Sequence, residues 1–367
     1  MKRVFIAATQ QNEGKTTVAL GLISALQNRG MAVGFIKPVG QRYQEVRGMK
    51  LDEDAVLIAE AAHLDAELTA MSPVAVEARF TRDYIDHPVP NDLLQRIDAA
   101  FEAASRDKEF MVIEGTGHAG VGSCFDMSNA RVARHLKTGV VLVSGGGIGR
   151  PIDEIMLNRS LFEASGVPLI GAVINRALPE KLEMVRDYVG RGLARLGVPL
   201  LGVVPLRPKL ASPTVRQVLS ELKGELLNGA EFLDESIERS IVGAMTPHNA
   251  LSYLGRGVLA ILPGDREDLI LAAMSSCLVG VGKAYCVAGI VLTGNIRPHA
   301  TIMRLIKRTQ IPVILVEGDS YLTASAVHDL TVKIQPTDGE KIHLAQRLID
   351  KYVDVDAIVG AADPLVG

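Results

Sequence analysis

Three cysteines in 367 residues, Cys124, Cys277 and Cys286, are too few and too scattered to carry a fold. They form no C-x-x-C pair and no zinc-type spacing. This excludes a disulfide scaffold and a structural zinc module, and leaves reduced thiols in a cytoplasmic protein as the expectation. Long hydrophobic runs are lacking as well. The charged start Met1-Lys2-Arg3 precedes an apolar run, but that run extends only from Val4 to Ala8 before Thr9-Gln10-Gln11 ends it. A signal peptide needs a longer apolar region and a spanning helix needs about 20 residues, so a soluble protein without a membrane partner is expected. Nor is there an excess of charge of one sign, since 39 Lys+Arg against 42 Asp+Glu leave a net charge of −3. That balance gives no general attraction to nucleic acid or to acidic lipid, while local anion sites stay open. Apolar residues, by contrast, are plentiful. They make up 48% of the chain against 22% charged, which suits packed cores, and the length suits two or three domains.

Short β-branched runs alternate with helical patterns along the chain. Strands are expected at 3–8, 33–37, 110–114, 140–144, 170–175 and 201–205. Between the first two, Val18, Leu20, Leu22, Ile23 and Leu26 recur at helical spacing over 16–28, and Gly30 supplies the stop. Strand–helix–strand order repeated in this way predicts a parallel sheet covered by helices. Beyond Pro213 the stretch 214–256 reads as helical and polar. Buried-type strands then return at 258–262, 289–292, 313–316 and 331–334, separated by helices over 268–279, 300–309 and 320–330. The expected fold class is therefore α/β, with a first domain at 1–212, a smaller α/β domain at 213–345 and a C-terminal tail at 346–367.

The most informative stretch is Thr9-Gln10-Gln11-Asn12-Glu13-Gly14-Lys15-Thr16-Thr17, which follows an apolar strand and leads into a helix. That context gives a phosphate loop its meaning. Gly14 lets backbone approach a phosphate, and the amides of Gly14 to Thr17 would face an anion from the helix N-terminus. Lys15 would neutralise β- and γ-phosphate charge, and the Thr16 hydroxyl would complete a Mg²⁺ shell. The first glycine of the G-x-x-x-x-G-K-[ST] motif is missing, and Thr9 stands in its place. Glu114 ends the strand Met111-Val112-Ile113, beside the loop, where a carboxylate can hold magnesium or simply close a strand. Lys37, in Phe35-Ile36-Lys37-Pro38, stands at a strand C-end, where ligands gather in open α/β sheets, although surface lysines are common. Asp54 is open to two readings, a second magnesium ligand or a helix cap.

At these residues the chain resembles dethiobiotin synthetase. That family carries a Gly-Thr-Asp-Thr-x-x-Gly-Lys-Thr loop, a Lys-Pro-Val after the second strand, an Asp before the next helix and a Val-Glu-Gly strand end. The counterparts here are Ala8 to Thr16, Lys37-Pro38-Val39, Asp54 and Ile113-Glu114-Gly115. The resemblance implies a P-loop fold binding ATP and Mg²⁺. It assigns phosphate contacts to Lys15 and Lys37, the metal to Thr16, Asp54 and Glu114, and the loop itself to Asn12, Glu13, Gly14 and Thr17. Asn175 would read the adenine, with Pro205 at the strand end beside the base, and a homodimer is the implied assembly. The departures lie on the substrate side. Gln10 and Gln11 replace small hydroxyl and acidic groups, and Gln41 stands near the position of the family's serine. True dethiobiotin synthesis is therefore not expected.

Further along, Leu262-Pro263-Gly264-Asp265-Arg266 and Val291-Leu292-Thr293-Gly294-Asn295 resemble the two signatures of a DRTGG domain. Such loops can hold small anions through backbone amides and Arg266, or be tight turns with a capping Asp265 and a surface Arg266. Together the two domains resemble the N-terminal part of long bacterial phosphotransacetylases. Three functions follow. The first is an ATP-dependent activation of a carboxylate or carbamate for amine attack. The second is a nucleotide-sensing regulator that responds to an unidentified small-molecule substrate or effector. The third is an amide ligase like cobyrinic acid a,c-diamide synthase, without its glutaminase domain. His118 and His299, near the candidate loops, read as locally satisfied histidines.

Overall fold

The computed structural model describes residues 1–46, 48–278, 286–330 and 332–365. It divides into two units, Met1–Leu206 with Gln335–Gly367, and Arg207–Ile334. The first unit is built on six parallel strands. These are β1 (Lys2–Ala8), β2 (Val33–Ile36), β3 (Phe110–Glu114), β4 (Gly139–Ser144), β5 (Leu169–Ala177) and β6 (Leu200–Pro205). Their spatial order is β6-β5-β4-β1-β3-β2. β1 pairs with β3 from Lys2↔Phe110 to Ile6↔Glu114, and with β4 from Val4↔Gly139 to Ala8↔Val143. Val4 to Ala8 are buried on both faces of the sheet, which is why the strand reads as an unbroken apolar run. The chain leaves β1 toward one edge and later returns to its other side, so the C-ends of β1, β3 and β4 frame the crevice where α/β sheets bind ligands. Helices cover the sheet, among them α1 (Lys15–Asn28), α2 (Glu53–Ala61), α3 (Pro90–Ala104), α4 (Gly149–Ala164) and α5 (Leu182–Arg195).

In the second unit, β7 (Glu225–Asn228), β8 (Arg239–Val242), β9 (Val258–Pro263), β10 (Gly289–Thr293) and β11 (Val313–Leu315) lie in the order β7-β11-β10-β9-β8. Only β7 runs antiparallel to its neighbour among these described pairs. Alternate residues of β9 enter different cores: Val258, Ala260 and Leu262 pack on one face, Leu259 and Ile261 on the other. The helices here are α6 (Val215–Leu222), α7 (Glu267–Leu278), α8 (Ala300–Ile306) and α9 (Ser320–Asp329). α6 opens with a reciprocal cap, in which Gln217 N donates to Thr214 Oγ1 and Thr214 N donates to Gln217 Oε1. The stretch 214–256, expected to be helical, holds α6 and then two strands. β7 and β8 are the sheet's edges, half exposed and polar, so they lack the apolar run by which the inner strands are recognised. No strand forms over 332–334, and residue 331 of that expected strand lies outside the described residues. Cys124 is a free, exposed thiol, Cys286 is disulfide-bonded rather than reduced, and the side chain of Cys277 lies outside the described residues.

The C-terminal helices α10 (Gly339–Tyr352) and α11 (Val355–Ala361) belong to the first unit, so its boundary differs from the expected 213–345 domain and 346–367 tail. α10 buries Ile342, Ala345, Leu348 and Ile349. A Cβ on Gly21 of α1 would collide with Ile349, so the glycine sets the close approach of the two helices. Beyond α10, Asp354 N donates to Leu201 O at 2.7 Å, and Arg3 N donates to Ala362 O at 2.8 Å. Among the described residues no helix is long and apolar enough to cross a membrane.

Candidate functional site

The loop after β1 is held at both ends. Ala8 N donates to Gly117 O at 3.2 Å and Thr9 N to Val143 O at 2.9 Å, which fixes its start between β3 and β4. At its other end Gly14 has φ +94°, a left-handed conformation natural to glycine, and a Cβ there would collide with Asn175 Nδ2. Asn175 Nδ2 donates to Glu13 O at 2.8 Å, while Asn175 Oδ1 accepts from Arg176 N at 2.9 Å. The side chain expected to face adenine thus braces the loop from the end of β5. Asn12 is also left-handed, at φ 62°. The first helical bond of α1 runs from Val18 N to Gly14 O, so the amides of Lys15, Thr16 and Thr17 stand at a helix N-terminus with no acidic residue in its first turn. Lys15 is buried beside them.

Next to the loop lies a buried cluster of charge. Thr16 Oγ1 donates to Glu114 Oε1 at 2.9 Å. Lys37 Nζ contacts the same Oε1 at 3.3 Å, Asp52 Oδ1 at 3.2 Å, and Asp54. Lys37, Asp52, Asp54 and Glu114 are all at least 94% buried. Burial pulls the Lys37 pKa down, but Glu114, Asp54 and Asp52 outweigh it and hold the ammonium well above its ordinary value. Burial pushes Glu114 up, and Asp54 adds to the rise against the pull of Lys37 and Lys15. Glu114 Oε2 is buried and has no hydrogen-bond partner. Three carboxylates face two ammonium groups, a deficit of positive charge at a place rich in hard oxygen donors, which is the chemistry Mg²⁺ accepts. Among the described residues no group of three or more His, Cys, Asp or Glu forms a metal cage by itself. Such an ion would therefore share its shell with a ligand, as magnesium in phosphate sites does.

The sequence reading brought together Lys15, Thr16, Lys37, Asp54 and Glu114, and the structure does so too. It missed Asp52, the N-cap of α2, whose Oδ1 accepts from Asp54 N at 2.9 Å. The pattern Asp52-Glu53-Asp54 at a helix start was the available signal. It also missed Glu154 and Asn158 of α4, far away in sequence. Glu154 accepts from Thr9 and Gln10, and Asn158 donates to Thr9 O. His118 Nδ1 accepts from Gly120 N at 3.2 Å, a local contact like that expected.

In the second unit the two signature loops sit at the ends of β9 and β10. Gly264 N donates to Thr293 O at 3.2 Å, and Gly294 N, at φ +78°, donates to Gly318 O at 2.9 Å. Those two amides are thus used by the chain itself. Arg266 forms a two-point pair with Asp268 at 2.9 and 3.1 Å and donates to Met245 O at 3.0 Å. Asp265 is exposed, and Thr293 Oγ1 lies 2.8 Å from Ser320 Oγ. His299 caps α8, its Nδ1 accepting from Thr301 N at 3.2 Å.

Residues 2–214 match a family described as an AAA domain, and residues 217–330 match one described as a DRTGG domain. A phosphate acetyltransferase of Nitratidesulfovibrio vulgaris is 30% identical over 364 residues, covering 96% of this chain and 50% of that protein. One of Deinococcus radiodurans is 30% identical over 367 residues, again covering 96% of this chain and 50% of the relative. The chain therefore spans about half the length of these relatives. Among solved structures, the CBS and DRTGG domains of the regulatory region of a Clostridium perfringens pyrophosphatase, complexed with diadenosine tetraphosphate, align at 23% identity. That alignment covers 31% of this chain and 45% of the other, with a TM-score of 0.25. With its phosphate loop, its parallel sheet and a match over residues 2–214, the chain belongs to the AAA-domain family and carries a DRTGG domain behind it.

Proposed function

We propose that the first domain binds ATP together with Mg²⁺ where α1 begins. The observation that carries this reading is Glu114, one oxygen of which is held by Thr16 and Lys37 while the other is buried without a partner. An unpartnered buried carboxylate oxygen is costly, and a divalent cation removes that cost. Thr16, Asp54 and Glu114 would hold the ion. Lys15 and the amides of Gly14 to Thr17 would hold the β- and γ-phosphates, with Asn12 and Glu13 along the loop. Asn175 and Pro205, near the ends of the neighbouring strands β5 and β6, would border the adenine. When bound, Mg²⁺ supplies the positive charge that lets a polyphosphate sit beside three carboxylates.

Two uses of the nucleotide are separable. In one, the γ-phosphoryl group passes to a carboxylate or carbamate while Lys15 and Lys37 stabilise the charge. In the other, the domain senses the nucleotide without turning it over. The second is favoured by Lys37, whose ammonium is already engaged by Asp52, Asp54 and Glu114. It also fits the match to half of each phosphate acetyltransferase, where this half would act as a regulatory part. A homodimer completes the proposal, supported by the resemblance at residues 8–16, and light scattering tests the assembly.

A thermal-shift series with ATP, ADP and GTP, with and without Mg²⁺, tests the reading. A magnesium-dependent rise specific to adenine nucleotides and lost in Lys15→Ala is expected, and silence for every nucleotide removes the proposal. Phosphate release that vanishes in Lys15→Ala identifies turnover. Binding without release identifies sensing.

A further inference from the structure

We propose that Glu154 is the positioning residue of the phosphate loop, fixing its first turn by side-chain hydrogen bonds where the motif's leading glycine is replaced by Thr9. The proposal rests on the reading that this loop holds a polyphosphate. Glu154 Oε2 accepts the Thr9 hydroxyl at 3.0 Å, and its Oε1 accepts Gln10 Nε2 at 2.7 Å. Arg150, one turn earlier on α4, donates Nε to the same Oε1 at 2.7 Å and offsets the charge. Thr9 is buried, and its hydroxyl also lies 3.0 Å from Ser144 Oγ at the end of β4. Asn158, one turn after Glu154, donates to Thr9 O at 3.3 Å and to Glu154 O at 2.9 Å. Its Oδ1 accepts from Ala119 N at 2.8 Å, in the loop after β3. The first two loop residues are thereby tied to α4, and through it to the segments that follow β3 and β4. A glycine at the first position would make neither of the two side-chain contacts of Thr9, to Glu154 and to Ser144.

Electrostatics alone argues against a carboxylate here. Glu154 repels a polyphosphate, and after burial and Arg176 it is the next influence on Glu13, whose pKa it raises. Charge and positioning therefore predict opposite signs for its removal. If Glu154 contributed only charge, Glu154→Ala and Glu154→Gln would both tighten nucleotide binding. If it positions the loop, Glu154→Ala weakens binding while Glu154→Gln rescues it. An amide can accept from Gln10 and donate to Thr9 Oγ1, whose own proton then turns to Ser144.

The experiment is calorimetric titration of the full chain with Mg²⁺ and ATP. Glu154→Ala should weaken binding about tenfold or more, the equivalent of one or two hydrogen bonds, and Glu154→Gln should stay within about threefold of wild type. Thr9→Val removes the hydroxyl without changing shape, should weaken binding to a similar degree, and in combination with Glu154→Ala should add little more. Unchanged or tighter binding in Glu154→Ala, or full additivity with Thr9→Val, overturns the proposal. A second arm needs no nucleotide. Amide hydrogen exchange over 10–14 should quicken in Glu154→Ala and Thr9→Val and return to wild type in Glu154→Gln. Loop exchange unchanged in folded Thr9→Val and Glu154→Ala overturns the positioning role. If wild type binds no nucleotide, the function proposed above falls, while the exchange arm still decides the role of Glu154.

Discussion

Burial raises the pKa of Glu114, Lys37 pulls it back, and Asp54 adds to the rise. Its ionised form is therefore disfavoured in the nucleotide-free fold. Glutamine keeps the acceptor for Thr16 and removes one of three crowded negative charges. Glu114→Gln should raise the unfolding midpoint of the nucleotide-free protein by about 2–4 °C, the shift that about 1 kcal/mol gives at this size. It should also abolish the magnesium-dependent nucleotide shift, and fluorimetry with and without Mg²⁺ and ATP reads both effects. A lower midpoint would mean that pairing with Lys37 outweighs desolvation. Tyr84 offers a pH test away from this cluster. Its phenol is buried and donates to Asp126 at 2.9 Å, and burial foremost, then Asp126, pushes it up to about 12. Between its ordinary value of about 10 and that value the native state keeps a proton the unfolded chain has lost, so stability falls as pH rises through this window. Tyr84→Phe should cost about 0.5–1.5 kcal/mol at neutral pH and flatten the alkaline loss, as urea midpoints from pH 7 to 11 would show. The residues legible in sequence were those whose neighbours in the chain announce a motif, such as Gly14-Lys15-Thr16. Glu154 was illegible because its partners Thr9 and Gln10 come to it only through the sheet.

Elements buried on both sides were the easiest to read. All six strands of the first sheet lie where unbroken apolar runs put them, within one or two residues at each end. The edges β7 and β8 were not, because a half-exposed strand of four residues carries no apolar run to recognise. The expected boundary at 345/346 cuts through α10, because nothing in its local sequence tells which unit its apolar residues pack in. Gly21 makes its partner testable. By helix propensity alone, Gly21→Ala should gain about 1 kcal/mol. The added Cβ collides with Ile349, so a net loss of about 1–3 kcal/mol is expected from overpacking. Ile349→Ala, which empties a fully buried site, should cost about 2–5 kcal/mol. Chemical denaturation of the full chain measures both, and a stabilised Gly21→Ala would show that α1 and α10 do not pack as described.

At the scale of the whole molecule, each unit carries its own hydrophobic core, centred on β1 to β6 in one and on β9 to β11 in the other. Separate cores predict two calorimetric transitions. Ile349→Ala should lower the first unit's transition, and Thr214→Ala, which removes the α6 cap at a cost of about 1 kcal/mol, should lower the second's. With the transitions so marked, Mg²⁺ and ATP at about 100 times the dissociation constant should stabilise the first unit by about 2.7 kcal/mol. The behaviour of the second transition then separates the two uses of the nucleotide. A ligand can move a unit it does not touch only if the two units are energetically coupled, and that coupling must be reciprocal. If the chain is a sensor, the second transition moves with the first, and a variant that weakens this response must change nucleotide affinity by the same coupling free energy. If it is a phosphoryl-transferring enzyme with an independent companion domain, the second transition stays where it is.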